Sequence, residues 1–191
     1  MALRGFGYQT LTGSAQPLFG CALSAAISPS PDPYTGRLDP GSQPSSCILP
    51  LAAPSYLFRV GDHVAVGPTS SFVPVNQTPS FPPDGGTVQQ VNLSASNILV
   101  TGLMRKHSAG EWVVLSLPCA QINIQNGNSP SLYLGEDSTV GAGSQTLIET
   151  CGPQGNITIG NPALGNMIES QHLWVEGSGA LNTCLPYLMT I

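Results

Sequence analysis

The distribution of proline sets the first limit on what this chain can fold into. Thirteen of its 18 prolines lie in residues 1–83, and seven of these lie in residues 28–55. Proline fixes φ and removes a backbone donor, so it is excluded from helix interiors and central strands. Residues 28–55 also contain no periodic apolar run. Such a segment is either a linker or an extended arm ordered by a surface on which it lies. We favour the second and predict an extended N-terminal arm over residues 1–55.

After this arm the sequence changes to short apolar segments separated by Gly, Asn and Ser. Apolar segments of this length, at this spacing and with these turn residues, are typical of antiparallel strands in a meander. Four such segments cover residues 63–66, 87–93, 97–103 and 111–117. They predict a small β-barrel or hairpin module over residues 56–120.

The C-terminal part of the chain repeats the β pattern with different turns. Strand-like runs cover residues 122–125, 131–135, 144–149, 156–160 and 172–179. They predict a jelly-roll-like β-sandwich over residues 121–191. Lys, Glu and Arg together number only ten, so strong helix formers are scarce. The expected fold class is therefore all-β: an arm, a small barrel and a sandwich.

Charged residues make up only 8% of the chain, against about 25% in an average domain. The formal net charge is −5, and Lys and Arg together number five. So few cations exclude nucleic acid and anionic membrane surfaces as partners. Depletion of charge is typical of interface cores, so we expect further copies of the chain or a larger assembly to cover its surface. The alternative is a monomer kept soluble by Ser, Thr, Asn and Gln.

No motif indicates catalysis, a metal site or a cofactor. His63, His107 and His172 have no histidine two or four positions away, and no G-x-S-x-G sequence is present. The acidic residue nearest to His107 in sequence, Glu111, is interpreted as a solvated residue at a strand end. We therefore expect a protein that is not an enzyme and binds no cofactor or metal.

The cysteines and tryptophans are interpreted as core residues. None of the five cysteines lies within 25 residues of another, which excludes C-x-x-C metal and redox spacings. Trp112 and Trp174 each lie in an apolar strand and are predicted to be core anchors. An alternative places Trp174 at the edge of the sandwich, in contact with a sugar.

Short motifs recur at defined places in both predicted modules. The C-terminal module contains I-N-I-Q-N-G, L-Y-L-G, I-T-I and L-W-V-E-G-S-G, and the central module contains I-L-V-T-G-L and H-S-A-G-E-W. Q-P-L-F-G lies near the start, at residues 16–20. In these motifs the chain resembles structural proteins of tailed-bacteriophage virions, and its size fits the capsid decoration (cement) type.

The resemblance implies a non-enzymatic virion component on the outer surface of a capsid. Such a protein binds the major capsid protein, forms a homotrimer or homodimer, and reaches its neighbours through extended arms. On this interpretation Gln16, Pro17, Leu18 and Phe19 contact the partner. Two alternatives remain open: a tail, baseplate or head-tail connector protein, and a glycan-binding β-sandwich.

Overall fold

A computed structural model describes most of the chain. The described residues are 2–6, 9–11, 13–29, 46–53, 57–74, 77–127, 131–143, 145, 147–160, 168–177 and 182–190. Within these ranges the chain is all-β, as the sequence predicts, with antiparallel strands, two short 3-10 turns and no α-helix. The strands are β1 (Ala2–Gly5), β2 (Gln9–Leu11), β3 (Gln16–Pro17), β4 (Gly20–Ala22), β5 (Ser46–Pro50), β6 (His63–Gly67), β7 (Asp84–Asn92), β8 (Asn97–Thr101), β9 (Trp112–Leu115), β10 (Pro118–Asn126), β11 (Leu132–Gly135), β12 (Leu147–Cys151), β13 (Asn156–Ile159), β14 (Ile168–Glu169), β15 (Trp174–Gly177) and β16 (Asn182–Thr190).

One compact unit, which we call the barrel unit, comprises Gly20–Phe72 and Thr78–Ser116. Its six strands have the order β4-β9-β6-β7-β8-β5. The sheet curls until its two edge strands meet beyond their ends, where Leu23 and Leu51 form an antiparallel bridge. This bridge pairs backbone groups at the ends of the two edge strands that would otherwise be free to pair with another chain. The alternating inward side chains form a core that includes Leu49, Val66, Ile98, Val100 and Val114.

The other unit, the two-sheet unit, comprises Met1–Phe19, Val73–Gln77 and Leu117–Ile191. Its larger sheet has the order β1-β16-β10-β13, with β2 also on β16 and β14 also on β10. Its smaller sheet has the order β12-β11-β15-β3. Side chains without exposed surface form its core, among them Ile122, Ile124, Leu132, Leu134 and Trp174.

The structure corrects the predicted arm over residues 1–55 in its described parts. Strands β1 and β2 pair with β16, β3 pairs with β15, β4 with β9, and β5 with β8. The prolines do not prevent this pairing because they lie on edge strands, Pro17 in β3 and Pro50 at the end of β5. The Pro-rich residues 30–45 lie outside the described residues. The units also divide the chain differently from the predicted boundaries at 55 and 120.

Candidate interaction surfaces

An uncharged patch lies on the outward face of β5, β7 and β8. Strand register places Ile48 opposite Leu99, and Leu99 opposite Gln90. Ile48 is 58% exposed, because alternation along β5 turns it away from the core that Leu49 enters. With the amides of Asn92 and Asn97 these side chains line a shallow cavity of about 190 Å³.

We call these five residues, Ile48, Gln90, Asn92, Asn97 and Leu99, the β5–β8 patch. It has an apolar centre and an amide rim, and no charged side chain lines its cavity. Burying it against another protein would therefore desolvate no charge.

A second feature of the barrel unit is a histidine held between two carboxylates. Nδ1 of His107 lies 2.8 Å from a carboxylate oxygen of Glu111, and Nε2 lies 3.3 Å from Oδ2 of Asp84. The same Asp84 oxygen accepts the backbone N–H groups of Met104 and Arg105, at 2.7 and 2.8 Å. We call His107, Asp84 and Glu111 the His107 cluster.

The local sequence explains how the cluster forms. Asp84 begins β7 and is followed by two glycines, and a Cβ at Gly86 would lie 2.4 Å from a methyl of Val100. Only glycine therefore lets β7 approach β8 this closely beside Asp84. Gly110, at φ +86°, turns the chain so that Glu111 returns to His107.

Protonation of the cluster is set by a balance of burial and hydrogen bonding. Burial disfavours the charged ring, but hydrogen bonds to Asp84 and Glu111 and their charges outweigh it and raise the pKa of His107. Burial likewise acts to raise the pKa of Asp84. Its hydrogen bonds with His107 and with the N–H groups of Met104 and Arg105 lower that pKa overall. Both ring nitrogens face carboxylates, so this histidine stabilises the loop rather than activating a nucleophile.

The interpretation of Glu111 as solvated was wrong, since it pairs with His107. The spacing of four residues across a glycine turn is the signal that could have revealed the pair. Asp84 lies 23 residues from His107, and no local pattern connects them.

A cavity of about 220 Å³ lies beside the cluster, and we call it the His107 cavity. Val66, Pro68 and Phe81 contribute apolar walls, and Arg105 and Lys106 contribute cations. Phe81 is 67% exposed, and both cations are exposed. The cavity is therefore an open, largely apolar site whose edge carries two cations and the Glu111 carboxylate.

The structure places the predicted contact residues 16–19 inside the two-sheet unit. Leu18 and Phe19 have no exposed surface, and Pro17 is also buried. Only Gln16 is partly exposed. Their assignment to a partner-binding arm is corrected accordingly, because a fully buried side chain contacts no partner while the unit stays folded.

The two tryptophans differ in burial. Trp174 has no exposed surface, so its ring face is closed to a sugar. This overturns the alternative of stacking on a glycan. Trp112, in β9, is partly exposed.

The described cysteines are free and buried: Cys21, Cys47, Cys119 and Cys151. Burial raises the pKa of all four thiols. Burial and the charge of Glu169 raise that of Cys119 to about 11. Low thiolate character disfavours nucleophilic chemistry at these residues. The side chain of Cys184 lies outside the described set.

Within the described ranges, no group of three His, Cys, Asp or Glu side chains is arranged to hold a metal ion. No helix in these ranges has the length and hydropathy that crossing a membrane requires.

Comparison with known proteins gives only distant structural likenesses. No protein family model matches the chain, and no curated protein sequence matches it. One similar solved structure is the VP16-VP17 complex, a complex of the two major capsid proteins of bacteriophage P23-77. The likeness covers 99% of this chain and 79% of that chain, with 11% identity and a TM-score of 0.22. Another is VP17, a capsid protein of the same phage. That likeness covers 100% of this chain and 88% of that chain, with 11% identity and a TM-score of 0.22. Likenesses this distant carry no conclusion about function.

Proposed function

We propose that this chain is a non-enzymatic virion structural protein that binds the outer surface of a phage capsid shell and stabilises it as a decoration protein. The observation that carries the proposal is the β5–β8 patch. Its exposed apolar centre and uncharged amide rim match the composition of a protein interface core rather than of a free surface. The expected partner is the major capsid protein.

The charge of the chain supports the same location. A formal net charge of −5 disfavours contact with packaged DNA and favours the outside of the shell. The phage-like motifs of residues 98–103, 122–127 and 173–179 agree with a virion protein.

The first experiment counts the chain in purified particles by quantitative mass spectrometry against the major capsid protein. A copy number comparable to that of the major capsid protein supports a decoration protein that covers the lattice. A copy number far below it would contradict the proposal and favour a tail or connector protein. Absence from the particles would contradict any virion role.

A second experiment measures shell stabilisation directly. Particles assembled without the chain are heated with and without the purified full-length protein, and release of DNA is followed by a fluorescent dye. Binding to the intact shell raises the temperature of release, since a ligand of the assembled state stabilises that state. An unchanged release temperature at saturating protein would contradict the stabilising role.

A further inference from the structure

Few charged side chains are exposed on the described surface. The exposed cations and the exposed acid lie in different places. Among the described Asp, Glu, Lys and Arg side chains, the exposed ones are Arg59, Arg105, Lys106 and Glu149; the others are buried or half-buried. Two of the three cations are adjacent and line the His107 cavity. The exposed acid lies elsewhere, on β12 of the two-sheet unit.

The His107 cavity is large enough to hold one side chain of another molecule. Its volume of about 220 Å³ corresponds to roughly seven water molecules at about 30 Å³ each. That is room for a branched aliphatic side chain between Val66, Pro68 and Phe81. With His107 charged, its two carboxylates leave the cluster with one net negative charge, and Glu111 also lines the cavity. Arg105 and Lys106 outweigh that charge by one, so the edge of the cavity attracts a single acid.

The β12 strand carries both features that such a cavity would accept. Ile148 is 41% exposed, and Glu149 follows it directly. The strand is an edge of the four-stranded sheet, so another molecule can approach it. Neighbouring side chains point to opposite faces of a strand, and the long stems of Arg and Lys can reach around its width.

We infer that Ile148 of a second copy of this chain occupies the His107 cavity, while Glu149 of that copy pairs with Arg105 and Lys106. The partner copy thus completes the site with its own residues. A contact between two different surfaces is heterologous, and repetition of it closes a ring when the rotation allows. On a surface with few charges, few competing ion pairs exist, so this pairing fixes the register of association.

The contact goes beyond the proposed function, and it is tested on the purified full-length protein without particles. Sedimentation velocity over a range of concentrations measures self-association of the wild type and of two charge-reversed variants, R105E/K106E and E149K. Each reversal places like charges across the contact, and we expect association to weaken about tenfold or more. Arg59→Glu is the matched control, because it reverses an exposed cation that does not line the cavity, and its association should equal that of the wild type.

A variant in which the charges on the two sides of the contact are exchanged distinguishes this contact from a general effect of charge on self-association. The triple variant R105E/K106E/E149K places acids at the cavity and a lysine on β12, and we expect self-association to return. Ile148→Ser tests the apolar part of the contact and should weaken association without changing net charge. Circular dichroism checks that each variant is folded.

Three outcomes would overturn the inference. They are a wild type that stays monomeric, association that is insensitive to both reversals, and a triple variant that stays dissociated. A monomer whose binding to capsids is nevertheless lost in R105E/K106E would identify the capsid protein as the occupant of the cavity. That result would leave the proposed function intact and reject the contact between copies.

Discussion

Nε2 of His107 lies 3.3 Å from Oδ2 of Asp84, although 23 residues separate the two in the chain. Asp84 begins β7, and His107 lies in the loop before β9. The backbone of His107 in turn exchanges two hydrogen bonds with Ile27, at 2.9 and 3.1 Å. His107 therefore connects three segments of the barrel unit: its ring contacts Asp84 and Glu111, and its backbone pairs with Ile27. The protonation state of the ring bears on the two carboxylate contacts.

The first prediction is that stability depends on pH in a defined direction. The raised pKa of His107 means that its contribution is fully present below its ordinary pKa of 6.5 and is lost as pH rises through the folded-state value. The lowered pKa of Asp84 means that its contribution is present above 3.8 and is lost as pH falls through its folded-state value. The cluster is thus most stabilising between about pH 4 and pH 6.5. Urea unfolding at a series of pH values checks this, and a maximum above pH 8 would contradict it.

The second prediction isolates the ring itself. His107→Gln removes the charge between two carboxylates and leaves Asp84 buried without its cation. We expect the free energy of unfolding at about pH 6 to fall by about 2 kcal/mol. Above this pH, the stability of the variant should depend less on pH than that of the wild type. His63→Gln is the matched control, because that ring is exposed and, among the described residues, it forms a hydrogen bond with Thr87 rather than with a carboxylate. An equal effect of both substitutions would reject the assigned role of the cluster.

The all-β class and the barrel-like module could be predicted from sequence because their causes are local. Period-two alternation, as along Asn97–Thr101, records which side chains enter the core. Proline content was a poorer guide to residues 1–55, because proline removes one backbone donor from a strand but does not prevent the strand from pairing. Pro17 and Pro50 both lie on edge strands.

The surfaces could not be predicted because they depend on contacts between distant strands. Ile48 joins Leu99 through the pairing of β5 with β8, and no local signal specifies that pairing. Asp84 meets His107 for the same reason. The burial of Leu18 and Phe19 likewise depends on pairing of the chain start with C-terminal strands, which a search for local motifs does not reveal.

The third prediction concerns the close approach of β7 to β8 next to Asp84. Gly86→Ala places a Cβ 2.4 Å from a Val100 methyl and 2.9 Å from the Thr101 carbonyl oxygen. The backbone oxygen cannot move aside without disturbing the pairing of β7 with β8, so we expect a loss of about 2–3 kcal/mol of stability. Gly85→Ala, one residue earlier, is the control, because nothing lies within 4 Å of its Cβ position. Thermal or urea unfolding of the two variants gives the comparison, and equal stabilities would contradict the packing described.

The last prediction separates binding from folding at the β5–β8 patch. Ile48→Asn replaces the apolar centre with an amide that matches its rim, and 58% of the Ile48 surface is exposed in the folded chain. We expect the free energy of unfolding to fall by no more than about 1 kcal/mol, since more than half of this side chain is exposed and the loss comes from strand propensity and the pair with Leu99. Affinity for shells that lack the protein should fall about tenfold or more, because the substitution places a polar group at the centre of the contact. Val60→Asn changes another exposed apolar residue, 67% exposed and outside the patch, and should bind as the wild type does. Equal binding by all three proteins in a co-sedimentation assay would show that the shell contacts a different face.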